Sequence, residues 1–181
     1  MRAPDPIGSF RRGAQMMQVE QRVGRLAEVR YRAPLTLDEL SEFMVRVRGL
    51  VEKATSPLVF CCDWREIESF DGTFVDTLVW TMRRDNARVA ANGVLVSASN
   101  TPLFEQVSAI VREARSPKRR VFRTRRELVT FLHPLLDGAE RRRRDEFLDE
   151  TRSLSEPPMP AAEAASGSFP THAKGIKGGT R

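Results

Sequence analysis

Side chains that could do chemistry cluster between residues 63 and 76. The carboxylates of Asp63, Asp71 and Asp76 surround Thr73, whose hydroxyl lies at the start of a predicted helix. The first N–H groups of a helix lack intrahelical partners and the helix dipole is positive there, so this position would favour a phosphate on Thr73. A phosphate adds about −1.5 to −2 charges at neutral pH. Thr73 is therefore a candidate phospho-acceptor, and the added charge would disturb the docking of an acidic partner.

A purely structural interpretation of the same residues is also open. The run Thr73-Phe74-Val75-Asp76 fits a variant capping box in which Asp replaces Glu at the third helical position. Thr and Asp commonly begin helices, so Asp71 or Thr73 could be only a cap. The two interpretations are compatible, because a capping hydroxyl can also accept a phosphate.

The elements around this segment predict a single α/β domain. Short apolar runs are typical of strands, and between them apolar residues recur every three or four positions, as on one face of a helix. Strand and helix alternate after an initial hairpin, which predicts a mainly parallel, mixed sheet of about five strands with flanking helices. The predicted strands cover residues 15–22, 26–33, 58–64, 93–99 and 120–123, and the predicted helices begin near Thr36, Phe74, Thr101 and Thr124, the second ending near Ala91.

The domain is predicted to cover residues 15–136. Residues 1–14 and 154–181 are rich in Pro, Gly, Ala and Ser without a hydrophobic period, which predicts disordered tails. Residues 137–153 are predicted to form a charged helical extension, whose four consecutive arginines make salt bridges with neighbouring acidic residues. Because the chain has no start resembling a signal peptide and no apolar run of about 20 residues, we expect a cytoplasmic protein.

The segment FCCDWREIESFDGT, residues 60–73, makes the fold prediction more specific. An apolar strand runs into Asp63, further apolar side chains follow, and Asp71 comes eight positions after Asp63. This pattern resembles the STAS domain family, the family of anti-sigma-factor antagonists. In that family a buried strand ends in Asp, and a second Asp opens an Asp-Ser-Ser-Gly loop at the start of a helix. The resemblance covers about residues 15–136.

The resemblance implies a function and a set of functional residues. Asp71 matches the loop Asp, Gly72 and Thr73 match the two Ser residues, and the usual Gly is replaced by Phe74. In the antagonist branch a Ser or Thr of this loop is phosphorylated by a partner kinase. The chain is thus expected to be a non-enzymatic bacterial signalling module with a kinase and an anti-sigma-type regulator as partners. Its partner-binding loop would comprise Asp63, Asp71, Gly72, Thr73 and Phe74.

A basic patch offers an alternative function. The chain has a net charge of +6, and residues 112–126 hold eight basic side chains against Glu113 alone. Such a patch could bind a small ligand, an anionic lipid at a membrane surface or an acidic protein, or simply be solvated, as most charge runs are. Nucleic-acid binding is not expected, because Phe122 is predicted to lie in the core and no helix-turn-helix or zinc pattern occurs. The patch consists of Arg112, Arg115, Lys118, Arg119, Arg120, Arg123, Arg125 and Arg126.

The remaining residues do not predict an enzyme. The chain lacks the glycine-rich nucleotide-binding motifs, the G-x-S-x-G motif and a Cys–His pair with an orienting acid. Cys61 and Cys62 point to opposite faces of a strand and only two histidines occur, so we expect neither a metal site nor a cofactor. A catalytic α/β domain with an unfamiliar site is a second alternative, and the sequence leaves the oligomeric state open.

Trp80 lies off the main apolar stripe of its predicted helix. It is therefore either a partly exposed contact at an interface, where Trp is enriched, or a side chain that fills the gap to a neighbouring helix. The first interpretation favours a protein-binding role for the helix that follows Thr73.

Overall fold

The computed structural model describes residues 17–32 and 36–155, in which strands and helices follow one another in the predicted order. The strands are β1 (Met17–Val23), β2 (Leu26–Arg32), β3 (Leu58–Glu66), β4 (Val89–Val96) and β5 (Arg119–Phe122). The helices are α1 (Leu37–Lys53), α2 (Gly72–Asp85), α3 (Thr101–Glu113), α4 (Arg125–Leu132) and α5 (Gly138–Ser155), and two short 3-10 turns cover Asn86–Arg88 and His133–Leu135. The predicted α/β class is therefore confirmed.

The five strands form one mixed sheet in the order β1-β2-β3-β4-β5. β1 pairs with β2 in the antiparallel direction, and all other neighbours pair in parallel. Gly24 makes the hairpin turn with a φ of +51°, and a Cβ atom there would lie 2.2 Å from Glu140 Oε1. This turn therefore needs glycine both for its backbone conformation and for space. β3 is central, and seven of its nine residues are buried, as the apolar run predicted.

One face of the sheet, which we call the aromatic face, packs against α1, α2 and α3. The rings of Tyr31 from β2 and Trp64 from β3 have centroids 5.5 Å apart. Phe43 of α1 and Phe74 of α2 lie against Tyr31 at 4.5 and 5.8 Å. α1 begins after Thr36, near which the sequence predicted a helix start, and Thr36 and Glu39 form a capping box in which both reciprocal hydrogen bonds are present.

The opposite face, which we call the ionic face, packs against α4 and α5. Leu128 of α4 and both Phe147 and Leu148 of α5 fill its apolar part. Beside them Glu28 of β2 and Arg143 of α5 are buried as a pair, with two hydrogen bonds of 2.6 and 2.7 Å. α5 thus belongs to the same folded unit, although the sequence predicted a charged extension outside the domain.

The observed ends of α2 and α5 differ from the predicted ones. α2 ends at Asp85 rather than near Ala91, because a 3-10 turn follows and Val89 is the first residue of β4. The position of Val89 fits the helical spacing as well as the strand, so the apolar pattern could not separate the two. α5 continues to Ser155, and the rest of the predicted tails lies outside the described residues. No helix in the described residues is both long and apolar enough to cross a bilayer.

Candidate functional site

The turn that opens α2 is uncovered. Asp71, Gly72 and Thr73 are all exposed. Asp71 is the N-cap residue, and its Oδ1 accepts a hydrogen bond of 2.8 Å from the N–H of Phe74. Thr73 is therefore the second residue of the helix and not its cap, which corrects the capping box proposed for residues 73–76. The Thr73 hydroxyl is left available at the helix terminus.

The loop before this turn is held in place by α3. The Gln106 side chain donates a hydrogen bond of 2.7 Å to the carbonyl of Phe70 and accepts one of 3.0 Å from the N–H of the same residue. Asn100, the N-cap of α3, donates to the carbonyls of Ile67 and Glu68. The Phe70 ring stacks on Phe74 with a centroid distance of 4.4 Å. The turn is therefore presented in a defined position by a side chain from another helix.

Two residues of the predicted partner-binding loop, Asp63 and Phe74, are buried and cannot contact a partner directly. Asp63 is 1% exposed on the ionic face, where Arg65 donates two hydrogen bonds of 2.8 Å to its carboxylate. Side chains alternate across a strand, so Asp63 points away from the side on which α2 packs. Phe74 is 4% exposed in the aromatic face. The accessible part of the predicted loop is reduced to residues 71–73.

The exposed face of α2 continues from this turn as a stripe of polar and aromatic side chains, which we call the α2 stripe. Its members recur at spacings of three and four, as neighbours on one helix face do. Trp80 in its middle is 61% exposed, so it does not fill a gap between helices, and the guanidinium of Arg84 lies 4.9 Å from its ring centroid. The stripe comprises Thr73, Asp76, Trp80, Arg83 and Arg84.

The α2 stripe is widened by α1. Thr81 of α2 and Met44 of α1 join the two helices through an Oγ1–Sδ contact of 3.0 Å. The next residue of α1, Val45, is 67% exposed, and together with Trp80 it is one of the two large exposed hydrophobic side chains of the described residues. Val45 and both arginines of the stripe were not identified from the sequence. The signal for the arginines was present, because positions 73, 76, 80 and 84 share the helical spacing that marks a common face and position 83 lies three residues after Trp80. No spacing in the sequence connects Val45, which lies on another helix, with the stripe.

Arg119 of the predicted basic patch is buried rather than exposed. Its side chain lies on the aromatic face at 5% exposure and donates to the Met82 carbonyl and to Asn86 Oδ1 at the end of α2. Burial lowers the pKa of the Arg119 guanidinium to about 10, so it stays protonated at neutral pH. Arg119 therefore stabilises the C-terminus of α2 and does not contribute to a surface patch.

The other cations of the predicted patch do not form one surface. Lys118 lies before β5 and Arg123 after it, and the five extended residue steps from one position to the other separate them by about 16 Å. Arg123 stacks on Phe104 at 4.2 Å, and Arg125 pairs with Asp149. Arg112 and Arg115 are exposed on the α3 side of β5, whereas Arg120 and Arg126 line a depression of about 410 Å³ on the α4 side.

Comparisons of the chain with protein-family models, with curated proteins and with solved structures found no match. Within residues 17–32 and 36–155, no three His, Cys, Asp or Glu side chains are grouped closely enough to hold a metal ion. The α2 stripe and its N-terminal turn are therefore assigned as the candidate site on the exposure and spacing of their own residues.

Proposed function

We propose that the chain is a STAS-like, non-enzymatic signalling module of the bacterial cytoplasm that docks a protein partner on the α2 stripe. The observation that supports this most strongly is the exposure of Trp80, at 61%, on a helix that buries its large apolar side chains Phe74, Leu78 and Met82. Trp and Arg supply much of the binding energy at protein interfaces. A Trp covered on one side by an Arg guanidinium and otherwise open to solvent is suited to such a contact.

Phosphorylation of Thr73 is the proposed switch of this docking. Thr73 lies seven residues before Trp80, about 10 Å along the helix axis. The Asp71 carboxylate already occupies the N–H of Phe74, which leaves the N–H groups of Gly72 and Thr73 to bind a phosphate. The phosphate would stand beside Asp71 and Asp76, so the N-terminal end of the stripe would become strongly negative and repel an acidic partner. A kinase and an anti-sigma-type regulator are the partners implied by the resemblance.

The alternative, binding of an anionic lipid or ligand by residues 112–126, has less support. Arg119 is buried, and the remaining cations lie on both sides of β5. Arg120 and Arg126 could still hold a small anion at their depression. Neutralising Arg120 and Arg126 should leave partner docking on the α2 stripe unchanged, and salt-sensitive binding to anionic vesicles that these substitutions remove would favour the alternative.

Capture of partners from native cells, followed by calorimetry with the purified captured protein, tests the proposal. Replacing Trp80 by Ala should weaken binding about 30-fold, because loss of an interface hot spot costs about 2 kcal/mol or more. Thr73→Ala should bind like the wild type, whereas Thr73→Glu should bind about tenfold more weakly. Thr130→Glu on α4 is the matched control, because Thr130 is also an exposed helical threonine but lies away from the stripe.

Two outcomes would contradict the proposal separately. Equal affinity of Thr73→Ala and Thr73→Glu for the same partner would show that Thr73 is not the switch, but would leave the proposed docking face unaffected. If Trp80→Ala bound the partner with wild-type affinity, the α2 stripe would not be the docking face. Phosphopeptide mapping of the protein from native cells checks independently whether Thr73 carries a phosphate.

A further inference from the structure

The charges of the α2 stripe are arranged symmetrically around Trp80. Asp76 lies four residues before Trp80 and Arg84 lies four residues after it. At a rise of about 1.5 Å per residue, each charge is about 6 Å from the level of Trp80, on opposite sides. A second α2 helix that runs antiparallel and is centred on its own Trp80 would therefore present arginine opposite aspartate at both ends.

Asp76 and Arg84 are chemically available for this pairing. Asp76 is exposed and forms no ion pair with any side chain of the described part of the chain. Arg84 bonds Asp85 through Nε and Nη2, at 2.7 and 2.9 Å, which leaves its Nη1 donors free. Asp76 is thus an exposed carboxylate with no ion-pair partner among residues 17–32 and 36–155, eight residues from an arginine with spare donors on the same helix face.

We propose that a second copy of this chain binds on the α2 stripe, antiparallel and related by a twofold axis that passes near Trp80. A twofold interface uses the same patch on both copies, so the patch must be complementary to itself. The stripe meets this condition, because the Trp80 rings meet at the axis and Asp76 of each copy pairs with Arg84 of the other. This inference rests on the proposed function, since it uses the same docking face and names one protein that binds there.

The dimer is expected to be reversible. α2 has 14 residues and is about 21 Å long, so the contact centred on it is small. Val45 is exposed on α1, one residue after the Met44 that contacts α2, and it provides further apolar surface on that helix. In the antiparallel arrangement Thr73 lies opposite position 87 of the second copy, next to Arg88. A phosphate on Thr73 would therefore strengthen self-association while it repels an acidic partner, and the modification would exchange one occupant of the face for the other.

Sedimentation equilibrium of the full chain with charge-exchanged variants tests the dimer. D76R places arginine opposite Arg84 and R84D places aspartate opposite Asp76, so each single variant should dimerise at least about tenfold more weakly than the wild type. The double variant D76R/R84D restores complementarity and should recover dimerisation. An equimolar mixture of the two single variants should form a heterodimer, because one copy then carries only arginines and the other only aspartates at these positions.

The mixture keeps the test meaningful if a single variant is poorly stable, because heterodimer formation requires both chains to be folded. A wild-type chain that stays monomeric at every concentration, or a dimer that neither single variant weakens, would overturn the proposed dimer. If the chain is monomeric while Trp80→Ala still loses a heterologous partner, only the self-association is wrong. If the dimer follows the charges but no other protein depends on Trp80, the proposed signalling partner is wrong and the dimer stands.

Discussion

The two faces of the central sheet bury different kinds of side chain, although they are built from the same strands. On β2, Val29 and Tyr31 point to the aromatic face, and Glu28 and Arg30 point to the ionic face. The alternation of side chains along a strand makes this possible. The aromatic face is closed by helices that contribute rings and aliphatic groups, whereas the ionic face is closed by α5, which contributes Arg143.

The polar groups on the two faces are satisfied to different degrees. On the ionic face Arg143 bonds Glu28 twice and Glu150 once, and the hydrogen bonds to Glu28 raise the pKa of Arg143 above its ordinary value. Arg30 Nε, also on the ionic face, has no hydrogen bond in the described residues but lies 3.6 Å from the Asp63 carboxylate. On the aromatic face the Tyr31 hydroxyl and the Trp64 Nε1 are buried without a hydrogen-bond partner in the described residues. On the ionic face the buried charges lie beside opposite charges, whereas on the aromatic face the buried Arg119 bonds neutral oxygens and two ring substituents stay unbonded.

The largest expected effect comes from breaking the buried pair on the ionic face. Arg143→Met leaves Glu28, which is fully buried, without its hydrogen-bond donor. The free energy of unfolding should fall by about 3–5 kcal/mol, because an unpaired buried charge is strongly destabilising. Urea denaturation followed by circular dichroism measures it.

Two controls separate loss of the pair from loss of an arginine. Arg142→Met removes an exposed arginine from the neighbouring position of α5 and should change stability little. Replacing Glu28 and Arg143 together by Leu should avoid most of the loss of stability that Arg143→Met causes, because no buried charge is left unpaired. A loss for Arg143→Met no larger than that for Arg142→Met would show that α5 is not held by this pair.

A smaller effect on stability is expected on the aromatic face, where a substitution changes the packing of apolar side chains and not the pairing of charges. Phe74→Leu should lower the free energy of unfolding by about 1 kcal/mol, because an aliphatic side chain of similar volume can fill most of the space. Trp80→Leu, on the exposed side of the same helix, should leave stability within about 0.5 kcal/mol of the wild type. If Phe74→Leu instead weakened partner binding without changing stability, Phe74 would be a contact residue, as the sequence analysis predicted.

The smallest effect uses two cysteines as reporters, one for each face. Cys61 lies in the ionic face and Cys62 in the aromatic face, and both are buried. In single-cysteine variants, raising the salt concentration should speed native-state labelling of Cys61 a few-fold more than that of Cys62. Salt weakens the ion pairs that hold α5 and does not weaken apolar packing. Equal salt dependence of the two labelling rates would contradict the comparison.

The dependence of stability on pH is the companion measurement, because both buried thiols should contribute to it in the same direction. Burial raises the pKa of the Cys62 thiol from 9.0 to about 12, and burial likewise raises that of Cys61. In the unfolded chain the thiols ionise at their ordinary pKa, so the folded state loses stability as the pH rises above about 9, and the loss continues to about 12. The urea midpoint should therefore fall from pH 8 to pH 10, and fall less when both cysteines are replaced by Ala.

The order of the elements could be predicted because its signals are local. The capping box of Thr36 and the glycine turn at position 24 each act within a few residues, and the predicted hairpin and the predicted helix start near Thr36 are both confirmed. The packing of α5 could not be predicted, because Glu28 and Arg143 are 115 positions apart and a run of four arginines resembles a solvated helix face. Pairing over such a distance leaves no periodic trace in the sequence.

Only the part of the candidate site that depends on local signals could be predicted. The turn at residues 71–73 follows from the transition between an apolar strand and a helix, and the structure leaves it exposed. The burial of Arg119 depends instead on which side of β5 it falls, and a shift of one position reverses that assignment. Asp63 is buried because helices cover both faces of β3. The basic patch is contiguous in the sequence but divided on the surface, because it spans a strand whose side chains alternate between two faces.

The single amide of Gln106 supplies Phe70 with both a donor and an acceptor, as an adjacent strand would. The position of the segment ahead of Thr73 is thereby set by a side chain of α3. A shorter amide at position 106 would therefore shift this support and leave the exposed residues 71–73 themselves unchanged.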